Sequence, residues 1–283
     1  DGRASEVVPM QKILVATDGS DGAQVGVTWA AELIATSGAK AVLATVMEPS
    51  GESADTTGEV RSLLADQLEH EWALPLDELD VNRELLLLEG DPRTALVAAA
   101  TGGDIDAVVV GTRGAGGFHG LGVGSTTHYL ARRLPCPLVV VPAIGGPLAS
   151  GTLVAGADGS AANERALRWT AEVAGSLGAR ATAVYAYSPL SDVMTHRIEN
   201  WQYPWEAKLR AEISRAGTEA IAFEIVLAAG HPVEELVRVA TERDAGLIVV
   251  GRRGLGSVHG LFLGRIPAQL LHHSSRPLAI VPH

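Results

Sequence analysis

AVVVGTRGAGGFHGLGVGSTT, residues Ala107–Thr127, is the stretch from which the fold can be read. A short apolar run ends on Gly111. A glycine-rich loop follows, and Gly124-Ser125-Thr126-Thr127 opens a segment with helical spacing to Arg133. An apolar run closed by glycine and followed by helical periodicity is a buried strand, its turn and the next helix. Leu247–Pro267 reads LIVVGRRGLGSVHGLFLGRIP, the same arrangement 140 residues on. Between Asp106–Ala143 and Gly246–His283, 15 of 38 positions are identical without a gap. A long exact offset of this kind marks one structural unit used twice.

The offset holds outward from that stretch. Asp18-Gly19-Ser20 recurs as Asp158-Gly159-Ser160, Trp29 as Trp169, Gly38-Ala39 as Gly178-Ala179, and Gly90 and Pro92 as Gly230 and Pro232. Two domains follow, residues 10–143 and 150–283, joined by Ile144–Ser150 with its Gly145-Gly146-Pro147 turn. In the first copy, strands are expected over Lys12–Thr17, Ala41–Met47, Arg83–Leu88, Ala107–Val110 and Leu138–Val141. Helices are expected over Ala23–Ser37, Glu59–Trp72, Pro92–Thr101 and Ser125–Arg133, with Gly38 stopping the first and Pro92 starting the third. Strict strand–helix alternation predicts an α/β protein of two tandem doubly wound domains, each a parallel sheet with helices on both faces.

Composition narrows the function classes. The chain has 283 residues, 47% of them hydrophobic, enough to build two cores and too many for a disordered chain. Its formal net charge is −11, and Glu48–Asp91 alone carries 13 acidic residues against Arg61 and Arg83. The remainder is neutral, with no basic patch, so nucleic acid is not an expected partner. The acidic stretch reads as a solvated helical face and loop. No apolar run approaches a membrane span. Asp1–Pro9 is polar, lacks the apolar core of an export signal and is set aside from the fold, which makes the cytoplasm the expected compartment. The single Cys136 excludes an internal disulfide and a cysteine-based zinc site.

Parallel sheets of this type bind ligands beyond the carboxyl ends of their strands, where strand order reverses. Two loops of each copy end there, one carrying Asp18 and one beginning at Gly111. Gly111 and Gly114 leave room for a ligand to approach the backbone. Gly124-Ser125-Thr126-Thr127 offers N–H groups and hydroxyls at a helix N-terminus, an anion-binding arrangement. Asp18, on the opposite loop, is suited to accept from ribose hydroxyls. The same features also serve as plain turns, with Ser125 an ordinary helix cap, and the chain has neither the G-x-x-x-x-G-K-[ST] nor the G-x-G-x-x-G signature.

The spacing Gly111-x-x-Gly114, nine residues, Gly124-Ser125 resembles the ATP-binding signature of the universal stress proteins. The endings Thr17-Asp18-Gly19-Ser20 and Val109-Val110-Gly111-Thr112-Arg113-Gly114, and Pro135-Cys136-Pro137-Leu138-Val139-Val140-Val141, are similar to that family too. The resemblance covers the chain from Met10 on as two tandem domains. It implies five-stranded sheets of order 3-2-1-4-5 and a stress-response sensor or regulator that binds ATP, AMP or cyclic AMP, with Mg²⁺ held through the phosphates. By position it implies that Thr17, Asp18 and Val46 meet the adenosine, that Gly111, Arg113 and Gly114 run beside ribose and phosphates, and that Gly124, Ser125, Thr126 and Thr127 hold the phosphates. It also implies pairing of the fifth strands, here between the two domains of one chain, with a homodimer of whole chains as a further option.

The second copy keeps Asp158, Gly251, Gly254 and Gly264, but Arg265 replaces the serine, Pro267 replaces Thr127 and Ala186 replaces Val46. A hydroxyl and an N–H are lost, so the nucleotide is expected mainly in the first domain. No general base can be nominated and no lysine lies in the glycine loop, which favours binding over turnover. A slow ATPase or phosphotransferase and a nucleotide-independent dimerisation module are the competing readings. His119 and His259 read as exposed loop residues, Trp29 and Trp169 as packing residues, Trp201–Trp205 as cover for a sheet edge or domain seam, and Cys136 as unreactive.

Overall fold

The computed structural model describes residues 10–49, 54–112, 114, 123–144, 148, 151–187, 202–218, 221–254 and 263–282. It divides into two compact units, Met10–Pro147 and Leu148–His283. In the first, β1 (Lys12–Ala16), β2 (Lys40–Met47), β3 (Arg83–Glu89), β4 (Ala107–Gly111) and β5 (Leu138–Val141) form parallel neighbours in the order β3-β2-β1-β4-β5. β1 is central: Leu14 pairs with Val42 on one side and with Val108 on the other. Ile13, Leu14 and Val15 have no exposure at all. A fully buried side chain of this kind contributes about 1.5–3 kcal/mol, so strands that are apolar on both faces belong in the middle of a covered sheet.

The helices begin and end where local chemistry dictates. In α1 (Asp21–Ser37) the Ser20 hydroxyl accepts from the Ala23 N–H, and Gly38 closes the helix at φ 74°, a left-handed cap. α4 (Pro92–Gly102) has proline in its first turn and the Asp91 carboxylate accepting from the Arg93 N–H. The Arg93 guanidinium beside Asp91 holds that carboxyl down at about 2. α5 (Ser125–Arg133) starts after Gly124.

The segment expected as one helix over Glu59–Trp72 differs. It forms α2 (Ala54–Gln67), a π-helical turn (Leu68–Trp72) and a short α3 (Leu74–Glu78). Pro75 explains the break, since its ring would meet the Glu71 carbonyl in a continuous α-helix. The wider turn buries both Leu68 and Trp72.

The second unit repeats the order as β8-β7-β6-β9-β10, all parallel. Its strands are β6 (Thr152–Ala157), β7 (Arg180–Tyr187), β8 (Phe223–Ala229), β9 (Leu247–Gly251) and β10 (Leu278–Val281). Its helices are α6 (Ala161–Leu177), α7 (Gln202–Arg215), α8 (Pro232–Glu242) and α9 (Arg265–His273). Each unit therefore has the 3-2-1-4-5 strand order, and the direction in which strands are added reverses between its first and fourth strands. Among the described residues no helix is long and apolar enough to cross a membrane.

Candidate functional site

In the first unit the carboxyl ends of β1 and β4 open a cleft of about 300 Å³. It brings together Thr17, Asp18, Val46, Gly111, Gly114 and Gly124–Thr127. Arg113, His119, His259 and most of Ile144–Ser150 lie outside the described residues. Asp18 is held in place by its own turn: its Oδ1 accepts from the Ser20 hydroxyl at 2.6 Å and from the Ser20 N–H at 3.2 Å. Thr17 is buried, and its hydroxyl accepts from the Gly19 N–H at 3.1 Å.

The glycines have distinct reasons. A Cβ on Gly114 would overlap Asp18 Oδ2. A Cβ on Gly111 would instead overlap the carbonyl of Gly22 at the start of α1, so this glycine serves the packing of α1 on β4. Gly111 lines the cleft as well, and the space left by its missing Cβ is filled by the Gly22 backbone.

The start of α5 carries anion-binding chemistry. Gly124, not Ser125, is the cap residue, and no side chain caps the helix. Ser125, read as an ordinary cap in the bland alternative, is instead the first helical residue. The first-turn N–H groups therefore lack the side-chain acceptor that Ser20 gives α1. Ser125 is exposed and Thr126 half-buried, while Thr127 is buried with its hydroxyl donating to the Gly111 carbonyl at 3.1 Å. Thr127 thus ties the helix to the strand end, and Ser125 and Thr126 are the hydroxyls left facing the cleft.

Sequence reasoning missed other lining residues: Ala23, Ala44, Glu48, Pro92 and Leu96. Pro92 and Leu96 carried a usable signal, because both recur at the offset, as Pro232 and Leu236. It also missed Trp72, whose indole lies against Gly19 so closely that a Cβ there would overlap the ring.

The second unit has a cleft of about 490 Å³ at the same place, lined by Asp158, Gly251, Gly254 and Gly264 among others. Asp158 Oδ1 accepts from the Ser160 N–H at 2.9 Å, and a Cβ on Gly254 would overlap its Oδ2. Ala157, Arg265, Ile266 and Pro267 line it where the first cleft has Thr17, Ser125, Thr126 and Thr127. The sequence position of Trp72 is taken by Glu212, 1% exposed, which accepts from Asn163 Nδ2 at 3.1 Å and from the Gly159 N–H, while Lys208 lies against Gly159 as Trp72 does against Gly19. Burial, then its hydrogen-bonding partners and the charge of Asp158, set its titration; the net effect raises its pKa.

Trp29 and Trp169 are buried in α1 and α6. Trp205 stacks on Tyr185 with ring centroids 4.9 Å apart. Tyr185 lies on β7, an interior strand, and lines the second cleft, so this aromatic does not cover a sheet edge. Trp201 is outside the described residues. Burial pushes the Cys136 thiol up to about 12, which makes it a poor nucleophile. Among the described residues no group of three or more His, Cys, Asp or Glu is arranged to hold a metal ion.

The family model described as universal stress protein family matches residues 9–142 and again residues 150–282. One universal stress protein of Mycobacterium tuberculosis is 28% identical over 185 residues, a match that spans 62% of this chain and only 62% of that relative's own length. Another from the same organism is 26% identical over 303 residues and 95% of each chain. A crystal structure of a universal stress protein from Archaeoglobus fulgidus covers 96% of this chain and 98% of its own, with a TM-score of 0.74 at 18% identity. That likeness is one of fold.

Proposed function

The chain belongs to the universal stress protein family, and from that premise we propose that its N-terminal domain is an adenine-nucleotide-binding regulatory module. The observation that carries the reading is the pairing of a pre-positioned carboxylate, Asp18, with a helix start that no side chain caps, both lining one cleft. Asp18 accepts from the ribose hydroxyls. The adenine lies against Val46 and Leu96, and the phosphates meet the first-turn N–H groups of α5 with the hydroxyls of Ser125 and Thr126. ATP is the ligand that uses the whole site, while AMP and cyclic AMP use less of it. Mg²⁺ accompanies the phosphates through their oxygens.

Binding rather than turnover is the reading the residues support. Phosphoryl transfer needs a group that activates the attacking water and cations that neutralise the transition state. Asp18 and Glu48 extend from the ends of β1 and β2, at the adenosine side, and Asp18 is already engaged by Ser20. Hydrolysis is therefore expected below about 1 per second, the low end of enzyme turnover. Calorimetry of the whole chain with ATP, AMP and cyclic AMP tests the proposal, with phosphate release followed in parallel. Absence of any nucleotide binding would sink it, and fast turnover lost in Ser125→Ala would replace it with an ATPase.

A further inference from the structure

The second cleft keeps one end of the first and rebuilds the other. Asp158 and Gly254 repeat the contact of Asp18 and Gly114, and Pro232 and Leu236 repeat Pro92 and Leu96. The aspartate, proline and leucine of the half that faces a ribose and a base are thus kept, while Thr17 and Val46 become Ala157 and Ala186. The half at the helix start has lost its three hydroxyls, and Pro267 removes an N–H from the first turn of α9. Ile266 puts an aliphatic side chain where Thr126 offers a hydroxyl. Glu212, at the sequence position matching Trp72, stands behind Asp158, and the Lys208 side chain lies against Gly159 where the first domain has the Trp72 indole against Gly19, so the floor gains an acid and a cation together. A helix start without hydroxyls and with one N–H fewer is a poorer cradle for a polyanion.

Cationic groups remain at the mouth. Arg265 is exposed at the helix start, and Arg253 lines the cleft with its Nε buried and, among the described residues, without a hydrogen-bond partner. A buried guanidinium N–H needs an acceptor, and one phosphate supplies it.

We propose that the C-terminal cleft takes a ribonucleoside bearing at most one phosphate, and discriminates against the polyphosphate that the N-terminal cleft holds. The inference rests on the nucleotide reading of the first cleft, and its test separates the two. Calorimetry of the whole chain is expected to give one ATP per chain and two AMP per chain, with adenosine binding the C-terminal cleft within about tenfold of AMP. Asp158→Asn is expected to reduce AMP from two per chain to one, and Gly254→Val to do the same by displacing Asp158. Two equivalent ATP sites would overturn the inference. So would a single AMP site indifferent to both substitutions, with ATP still binding once. If neither ATP nor AMP binds at all, the reading of the first cleft falls together with this one.

Discussion

The two clefts are built from matching positions and differ in what those positions carry. Gly111, Gly114, Gly124, Pro92 and Leu96 all have counterparts 140 residues later, whereas Thr17, Ser125, Thr126 and Thr127 become Ala157, Arg265, Ile266 and Pro267. The glycines persist for reasons internal to the fold. Gly111 admits the backbone of Gly22, and Gly114 and Gly254 each admit an aspartate. A glycine spacing therefore reports the architecture, and the side chains between the glycines report the ligand. Two domains with one glycine pattern can accept different molecules.

The largest expected effect breaks the first cleft alone. Gly114→Val places a side chain on the Asp18 carboxylate and pushes it from its Ser20 bonds. ATP affinity is expected to fall about a hundredfold or more, roughly 2.7 kcal/mol. Circular dichroism must show a folded chain. A folded variant with unchanged affinity would remove Asp18 and Gly114 from the site.

The next sharpens the comparison by converting one cleft toward the other. Arg265→Ser, Ile266→Thr and Pro267→Thr together restore three hydroxyls and the missing N–H. ATP affinity at the C-terminal cleft is expected to rise about tenfold, near 1.4 kcal/mol. A triple variant with no gain would mean that the floor acids, not the helix start, exclude the polyphosphate.

A smaller effect follows from the buried bond that only the first domain makes. Thr127→Val keeps the shape but removes the donor to the Gly111 carbonyl. The N-terminal domain is expected to lose about 1 kcal/mol of stability, the net worth of one such bond. Denaturant titration would register this, and an unchanged midpoint would mean that the tie contributes nothing.

Much of this was legible in the sequence because the signals are local. Gly38, Pro92 and Gly124 mark boundaries that depend on backbone conformation at one or two residues, and Ser125–Arg133 and Leu138–Val141 begin and end where their pattern says. The site was legible through Asp18 and the helix start for the same reason. What escaped depends on register between distant segments. The π-helical turn that seats Trp72 on Gly19 follows from Pro75 and from the fit of α2 on the core, and periodicity alone reads through it. Glu212 looked like one more charged helical residue, since its burial beneath the Asp158 turn exists only after α7 docks. At Gly111 a sequence shows that space is needed and not that the Gly22 backbone fills part of it.

The smallest effect concerns that acid. Glu212 takes the place of an indole, so the second domain carries an ionisable group where the first has none. Burial raises its pKa foremost, Asp158 raises it further, and Asn163, the Gly159 N–H and Arg215 oppose them. A carboxyl raised on folding binds its proton more tightly in the folded chain than in the unfolded one. Its contribution is then fully present below the ordinary glutamate value of about 4.3 and declines as pH rises through the higher folded value. Glu212→Gln keeps an acceptor for Asn163 and cannot ionise. The variant is expected to be more stable than the wild type at pH 8, with the gap closing as pH falls toward the ordinary carboxylate range. Hydrogen exchange along Gln202–Arg215 reads this helix directly, and protection there should rise in the variant at alkaline pH and match the wild type in acid. Protection of α2 and the π-helical turn in the first domain, where Trp72 holds the equivalent sequence position, should show no such pH-dependent difference. If the wild-type helix instead gained protection with rising pH, Glu212 would be a stabilising anion, and the electrostatic contrast between the two floors would be reversed.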